Sequence, residues 1–154
     1  MNILGIDPGY AIIGFGALAY NRSKFNVLGY GAITTQSNIA MSIRLEIIYD
    51  ELNKVIKKYN PCCLSIETLY FTSNQKTAIS VAQARGVIVL AGRKNNLEIF
   101  EYTPLQVKQA VVGYGKATKK QVISMTACIL NLQSAVKLDD TADALAVAIC
   151  HAHS

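Results

Sequence analysis

The sequence lacks any long uninterrupted run of apolar residues, although 51% of its 154 residues are hydrophobic. No stretch reaches the roughly 18 apolar residues that a membrane-spanning helix needs, so we expect no membrane span. The N-terminus also lacks the basic start and the small-residue cleavage site of a secretory signal peptide. Together, these absences predict a cytoplasmic protein.

Charged residues are scarce as well, at 16% of the chain. Low charge combined with high hydrophobicity indicates a folded globule with a buried core and excludes a disordered segment. A chain of 154 residues suits one core of ordinary size, so we expect a single domain over residues 1–154.

Cysteine is sparse, and none of the four cysteines has the paired spacing of a zinc site. They are Cys62, Cys63, Cys128 and Cys150. We expect buried, reduced thiols without a disulfide, as is usual in the cytoplasm.

Acidic residues are outnumbered, because ten Asp and Glu oppose fifteen Lys and Arg and leave a net charge of +5. A basic surface suits a polyanionic partner whose backbone is held by electrostatic attraction. Clustering of the few acids at one site would leave the rest of the surface more basic still.

An apolar run at residues 3–6 leads directly into Asp7. Pro8 and Gly9 then turn the backbone, so the run predicts a buried strand with Asp7 at its carboxyl end. A partly buried carboxylate needs a counter-charge, hydrogen bonds or a metal ion. Alternatively, Asp7 only accepts hydrogen bonds from the N–H groups of its own turn.

Two more strands are predicted over residues 11–20 and 25–35. A polar turn at residues 21–24 joins them, so the simplest arrangement of the first three strands is an antiparallel meander.

Apolar residues at helical spacing then predict a long helix that ends near Tyr59, before an Asn-Pro pair. We expect Ser37 or Asn38 to cap this helix and Arg44 to lie off its apolar stripe. The helix covers one face of the sheet and carries no predicted chemistry.

A second buried run begins at Cys62 and ends at Glu67. A strand, a long helix and another strand form a crossover unit, so the strand ending at Glu67 should run parallel to the first. Asp7 and Glu67 then lie at the same end of the sheet, where open α/β sheets bind ligands. A short fifth strand is predicted over residues 97–101.

Tyr70 and Phe71 follow Glu67 in a predicted loop. Either these aromatic side chains fold back onto the core, or one of them stands at the mouth of the site and stacks on a nucleic-acid base.

The next helix is predicted from Ser73 or Asn74 to about Lys94. It carries a stripe of small residues, Ala78, Ala82 and Gly86. Such a stripe lets another backbone approach closely, either the sheet or a second subunit.

Four lysines lie around a glycine-rich turn between a helix that ends at Gly113 and another over residues 118–130. They are Lys108, Lys116, Lys119 and Lys120. Backbone N–H groups at a helix N-terminus flanked by lysines can bind a phosphate. The alternative is a solvated loop with ordinary surface lysines.

The last predicted helix runs to His151 and contains almost only small apolar residues after Asp143, which indicates burial on most sides. Asp140 and Asp143 are three residues apart and therefore share a face. Capping and the helix dipole can explain Asp139 and Asp140, but they explain Asp143 less well. We expect His151 and His153 to be non-catalytic.

Four carboxylates thus stand out at two strand ends and on one helix face. They are Asp7, Glu67, Asp140 and Asp143. Oxygen ligands of this kind select hard cations such as Mg²⁺ or Mn²⁺, and the absence of nearby His or Cys argues against zinc. Two such ions roughly 4 Å apart can activate a water and stabilise the leaving oxygen of a phosphodiester.

Five motifs cover nearly the whole chain in a characteristic order. They are GIDPG at residues 5–9, IETLYF at 66–71, AQARGV at 82–87, EYTPLQVKQAVVGYG at 101–115 and DDTADALAVAICHAH at 139–153. With these motifs the chain resembles the RuvC-type Holliday junction resolvases of the RNase H-like nuclease superfamily. GIDPG alone is a weak signal, whereas the later motifs together are highly specific.

The resemblance implies an α/β RNase H-like fold with a mixed five-stranded sheet, a three-strand antiparallel meander plus parallel strands, flanked by helices on both faces. It also implies that the four carboxylates form a metal-binding catalytic tetrad. We assign the third ligand to Asp140, because it keeps the three-residue spacing to Asp143, and not to Asp139. The implied cofactor is Mg²⁺, with Mn²⁺ as a substitute and two ions per subunit.

In such enzymes each subunit of a homodimer nicks one of two strands of like polarity in a four-way DNA junction, leaving 5′-phosphate and 3′-hydroxyl ends. The resemblance implies that Lys108 and Lys119 contact DNA near the site. Tyr70 matches an aromatic position in the loop that contacts the junction. It also implies association with the RuvA–RuvB branch-migration complex.

Three other functions compete with junction resolution. An actin-like phosphotransferase also begins with a G-x-D-x-G strand, but it needs two such domains. Another RNase H-like nuclease, acting on RNA or RNA–DNA hybrid, would have the same fold and metals. A non-catalytic DNA-binding module would gain nothing from clustered negative charge.

Overall fold

The computed structural model describes residues 1–9, 11–70, 75–133 and 139–154, with Gln75 and Asp140 described by their backbone alone. Its strands are β1 (Asn2–Asp7), β2 (Ile12–Asn21), β3 (Lys24–Thr34), β4 (Cys63–Glu67) and β5 (Glu98–Tyr102). Its helices are α1 (Met41–Tyr59), α2 (Gln75–Lys94), α3 (Pro104–Val112), α4 (Lys119–Ile129) and α5 (Asp139–Ala152).

The five strands form one mixed sheet in the order β3-β2-β1-β4-β5. β1, β2 and β3 pair antiparallel, and β4 and β5 run parallel to β1. The turn that joins β2 to β3 is two residues long, because Asn21 pairs with Lys24. Both intervening residues, Arg22 and Ser23, have positive φ. The predicted meander followed by parallel strands is confirmed, with strand ends shifted by a residue.

Helices cover both faces of the sheet. Since successive residues of a strand point to opposite sides, β1 and β4 contribute residues to both layers. On one side, Leu4 and Leu64 pack in a core cluster with apolar residues of α1 and α2. On the other side, Ile3 and Cys63 pack in a second cluster with residues of α3, α4 and α5. The two clusters confirm the predicted layers.

Helix α5 is the most buried helix on its side of the sheet, and every residue from Ala144 to Cys150 is buried. It lies unusually close to β1, since a Cβ placed on Gly5 would stand 2.1 Å from the carbonyl oxygen of Ala144. Thr141 also donates its hydroxyl to the carbonyl oxygen of Gly31 over 3.3 Å, which ties the first turn of α5 to β3.

The start of α1 and the location of Arg44 differ from the prediction. The N-cap is Ala40, without a side-chain hydrogen bond, instead of Ser37 or Asn38. Arg44 is only 4% exposed and donates its Nε–H to the hydroxyl oxygen of Thr35 over 2.9 Å. Arg44 stands four residues before Ile48 and so belongs to the inward-facing stripe, where a polar partner accepts its hydrogen bond.

The prediction that all four thiols are buried is wrong for two of them. All four cysteines are free; Cys63 and Cys150 are buried, whereas Cys62 and Cys128 are exposed. Burial raises the pKa of Cys63 to about 12 and that of Cys150 to about 11, so both remain protonated at neutral pH. Cys62 lies just before β4 begins and donates its thiol to the carbonyl oxygen of Asn2.

The small-residue stripe of α2 does not face the sheet. The side of α2 that faces the sheet includes Ala84 and Ile88, which are fully buried. Ala82 and Gly86 are exposed, and a Cβ on Gly86 would meet nothing within 4 Å. Of the two predicted roles, packing against the sheet is therefore wrong. The predicted N-terminal residues of α2, Ser73 and Asn74, lie outside the described residues.

Among the described residues, no helix combines the length and the apolar character needed to cross a membrane.

We predict that Gly5→Ala destabilises the protein by about 1–3 kcal/mol, the range typical of overpacked cores. The new methyl group would overlap the Ala144 carbonyl oxygen of the α5 backbone, which has no rotamer by which to escape. The free energy of unfolding in urea measures the effect.

Gly86→Ala is the matched control, because it adds the same methyl group in open space on a helix. It should raise stability by about 0.5–1 kcal/mol through the higher helix propensity of alanine. Both variants are compared with the wild type at a dilution where the protein is monomeric, since Gly86 lies on the stripe that could face a second subunit. A Gly5→Ala variant as stable as the wild type would contradict the close approach of α5 to β1.

Candidate active site

Asp7 and Glu67 lie side by side at the carboxyl ends of two adjacent parallel strands. Ile6 of β1 is in register with Ile66 of β4, so the next residue of each strand is one of the two acids. Ile3 packs against α5, and Asp7 lies four residues further along β1, so the side chain of Asp7 points to the same face of the sheet as that of Ile3. Both acids are half-buried, as the strand pattern predicts for the edge of a core.

Asp143 approaches the same site from α5. It is the one residue between Thr141 and Cys150 that is not buried, and its side chain is 24% exposed. Its charge raises the pKa of Glu67, which places the two carboxylates within electrostatic range of each other. The structure thus brings Glu67 and Asp143 to the same end of the sheet, and their joint role as metal ligands stays a prediction.

Burial is the main reason that the pKa of Glu67 is raised above its usual range, and repulsion from Asp143 is the second. The ammonium groups of Lys108 and Lys119 act in the opposite direction. The site thus concentrates negative charge in a partly desolvated place and offsets it with nearby lysines.

Lys119 forms ion pairs with two acids of α5. Its ammonium nitrogen is 3.3 Å from Oδ2 of Asp143 and 3.7 Å from Oδ2 of Asp139. α4 begins at this residue, and a capping box between Thr118 and Gln121 fixes the helix start. The contact of Lys119 with Asp143 was not foreseen from the sequence, because no local pattern pairs residues of different helices.

Asp140, the predicted third ligand, lies in the first turn of α5, and its side chain is outside the described residues. Asp139 is described, and its side chain is 65% exposed beside Lys119. The assignment of Asp140 over Asp139 therefore stays a prediction.

The described acids offer only carboxylate oxygens as metal ligands, and hard cations such as Mg²⁺ prefer such ligands. Among the described side chains, no three Asp, Glu, His or Cys residues are close enough together to share a metal ion. Two observations nevertheless favour a cation at this end of the sheet. Asp143 repels Glu67, and the positive charge of Lys119 already lies against Asp143.

The four predicted DNA-binding lysines do not all have the same surroundings. Lys108 on α3 is half-buried and close enough to Glu67 to lower its pKa. Lys116 and Lys120 are exposed on the surface around the start of α4. Lys119 contacts the acids, as described above. The N–H of Gln121 is used by the capping box and so is not available to a phosphate.

Tyr70 is exposed, at 67%, so its ring does not fold back onto the core. Two residues earlier, the N–H of Thr68 donates to the carbonyl oxygen of Tyr102 and extends the pairing of β4 with β5. Phe71 lies outside the described residues. Tyr114 is a second exposed aromatic residue that the sequence reasoning missed; its position between two glycines and among lysines was the available signal.

His151, predicted to be non-catalytic, lies two turns along α5 from Asp143 and packs against residues of β5. Its ring stacks on Phe100, and its Nδ1 is 2.7 Å from the hydroxyl of Tyr102. Burial lowers its pKa below the usual range.

The strand order β3-β2-β1-β4-β5, with acids at the ends of β1 and β4 and on the last helix, defines an RNase H-like nuclease. The family described as Crossover junction endodeoxyribonuclease RuvC matches residues 3–151. The chain belongs to the RuvC family, and it is an endonuclease of that class.

Several known proteins are similar to the chain over nearly its whole length. Crossover junction endodeoxyribonuclease RuvC of Alkaliphilus oremlandii is 58% identical, over 100% of this chain and 94% of that protein. Its counterpart from Ruminiclostridium cellulolyticum is 56% identical, over 100% and 93%. The structure of Thermus thermophilus RuvC in complex with a Holliday junction substrate is 31% identical, with a TM-score of 0.93 over 99% of this chain and 93% of that one. Nucleases of this family depend on divalent metal ions.

We predict that, without metal ions, Glu67→Gln becomes more stable relative to the wild type as the pH rises. A raised pKa in the folded state means that protonated Glu67 favours folding below the ordinary pKa of glutamate, about 4.3, and that this contribution is lost as the pH rises through the raised value. Glutamine keeps the neutral form at every pH. Urea unfolding in EDTA at several pH values measures the difference.

The same comparison in an Asp143→Asn background should show a smaller trend, because the second cause of the raised pKa is removed. A difference between glutamate and glutamine that does not change with pH would contradict the electrostatic description of the site.

Proposed function

We propose that this protein resolves four-way (Holliday) DNA junctions by metal-dependent hydrolysis of a phosphodiester in each of two strands, in recombination and repair. The observation that carries the proposal is the meeting of Asp7 and Glu67 at adjacent strand ends, with Asp143 on α5 in electrostatic range. Membership of the RuvC family and the likeness to a RuvC bound to a Holliday junction support this substrate.

Asp7, Glu67, Asp140 and Asp143 are the proposed metal ligands and catalytic residues, in a single nuclease domain over residues 1–154. The proposed cofactor is Mg²⁺, with Mn²⁺ as a substitute and two ions per subunit. When bound, such ions activate a water and stabilise the leaving oxygen. The chain's own contribution is to hold the acids on buried, rigid elements, so that a phosphodiester meets them at a fixed end of the sheet.

DNA is proposed to bind through its phosphates to the lysines around this end of the sheet, Lys108, Lys116, Lys119 and Lys120. Lys108 and Lys119 are the two lysines whose charges lower the pKa of Glu67, so we expect them to lie nearest to the scissile phosphate. Tyr70 is exposed beside the end of β4 and is proposed to stack on an unpaired base at the junction.

A homodimer is proposed to form through the outer face of α2. Along this helix Ile79, Ala82, Gly86 and Leu90 follow one another at helical spacing. Ile79 is 62% exposed and Leu90 is 54% exposed, while Gly86 leaves open space between them. Large apolar side chains beside a small-residue gap suit a second copy of the same helix, and a two-fold axis would present two active sites to two strands.

Two further features of the proposal come from the family resemblance. The protein is proposed to act in the cytoplasm, and to receive junctions from the RuvA–RuvB branch-migration complex.

The central test is cleavage of a synthetic four-way junction beside a matched linear duplex and an RNA–DNA hybrid. With Mg²⁺ we expect paired symmetric nicks on the junction alone, and none in EDTA. Asp7→Asn should reduce cleavage by more than about a hundredfold, because even partners that only support a metal ligand are worth 10–100-fold. Junction binding should persist in this variant, since the lysines carry it.

Other outcomes would change the conclusion in defined ways. Cleavage of the hybrid in place of the junction would keep the metal site and assign the protein another RNase H-like substrate. Tight junction binding without any cleavage would indicate a non-catalytic junction-binding module and contradict the proposed tetrad.

The dimer surface has its own test, Ala82→Leu in sedimentation analysis. The bulky side chain should close the gap beside Gly86 and shift the protein towards the monomer. Gln109→Leu adds the same side chain at an exposed position of α3, on the other face of the sheet, and should leave the dimer intact. A dimer that survives Ala82→Leu unchanged would show that α2 does not form the interface.

A further inference from the structure

Lys119 occupies the position of a counter-ion in the proposed metal site. Its ammonium nitrogen lies 3.3 Å from a carboxylate oxygen of Asp143 and 3.7 Å from one of Asp139. Its charge also lowers the pKa of Glu67, whereas that of Asp143 raises it. One flexible cation thus neutralises acids that would otherwise repel one another, which is the electrostatic task that a metal ion performs in such a site.

The bridge made by Lys119 is easily broken. The side chain of Lys119 is 55% exposed and that of Asp139 is 65% exposed, so water screens both charges. A divalent ion carries twice the charge and binds carboxylates at shorter distances. An ion that reaches Asp143 therefore competes with Lys119 for the same carboxylate.

We propose that Lys119 is a displaceable counter-cation, which holds Asp143 until a divalent metal ion replaces it. The inference rests on the proposed metal site and adds a residue that positions its ligand. On displacement, Lys119 would exchange Asp143 for solvent and a DNA phosphate, because its remaining partner, Asp139, is 3.7 Å away and exposed. Metal binding and DNA binding then favour each other, because coupling between two sites is reciprocal.

The first test is calorimetric titration of the protein with Mn²⁺ in the absence of DNA. Lys119→Met removes the competitor and should bind Mn²⁺ about two- to fivefold more tightly, the factor that corresponds to an exposed ion pair. Lys119→Arg, which can keep the bridge, should bind like the wild type. Lys108→Met is the matched control, since Lys108 also acts on Glu67 but has no ion pair with Asp143 among the described contacts.

The second test detects the displacement itself. An amine-reactive label, quantified by mass spectrometry, should react faster with Lys119 when Mn²⁺ is added. Lys108 reports the general effect of a nearby positive ion, and its reactivity should change less.

The outcomes separate this inference from the proposed function. If the wild type binds no Mn²⁺, the metal site is wrong and the inference is wrong with it. If the wild type binds Mn²⁺, but Lys119→Met gains no more affinity than Lys108→Met and Lys119 labels no faster with the ion, the metal site stands and the inference is overturned.

Discussion

The contact on which the rest of this structure depends is the close approach of α5 to β1 at Gly5. A side chain at that position would overlap the carbonyl oxygen of Ala144, so only glycine allows the helix to lie against the strand. Asp143 precedes Ala144, and Asp7 lies two residues beyond Gly5. The backbone contact therefore sets the distance between the acid of the helix and the acids of the strand ends. A helix held further away by a side chain at position 5 would weaken the electrostatic interaction of Asp143 with Glu67.

The apolar core stabilises an arrangement of charges that is unfavourable by itself. Burial and the repulsion from Asp143 both raise the pKa of Glu67, so its ionised form opposes folding even with Lys108 and Lys119 nearby. The offsetting contribution comes from α5, which buries every residue from Ala144 to Cys150. The helix can present one acid at the site because the rest of its surface is used for packing. Clustered acids that reduce stability are expected at a functional site, here one suited to a cation.

Much of this architecture could be predicted from the sequence, because it follows from regular patterns. An apolar run that ends in Asp7 and a second that ends in Glu67 predicted two parallel strands with adjacent acids, and the observed register confirms this. Arg44 was misplaced because its polarity suggested solvent, whereas its helical position lies inside and Thr35 accepts its hydrogen bond. The contact of Lys119 with Asp143 could not be predicted, since it depends on how two helices pack and not on spacing along the chain.

The lysines of the site explain why an acidic cluster occurs in a chain with a net charge of +5. Lys108 and Lys119 offset the charge of Glu67, whereas Lys116 and Lys120 are exposed at the surface. A lysine that neutralises a carboxylate cannot at the same time neutralise a phosphate with its full charge. On the proposed function, drawing such a lysine towards DNA would leave the acids in need of another cation, and supplying that cation would make the lysine available to DNA. Affinity for the nucleic acid and affinity for the metal ion would then not be independent properties of this surface, because both would depend on the same lysines.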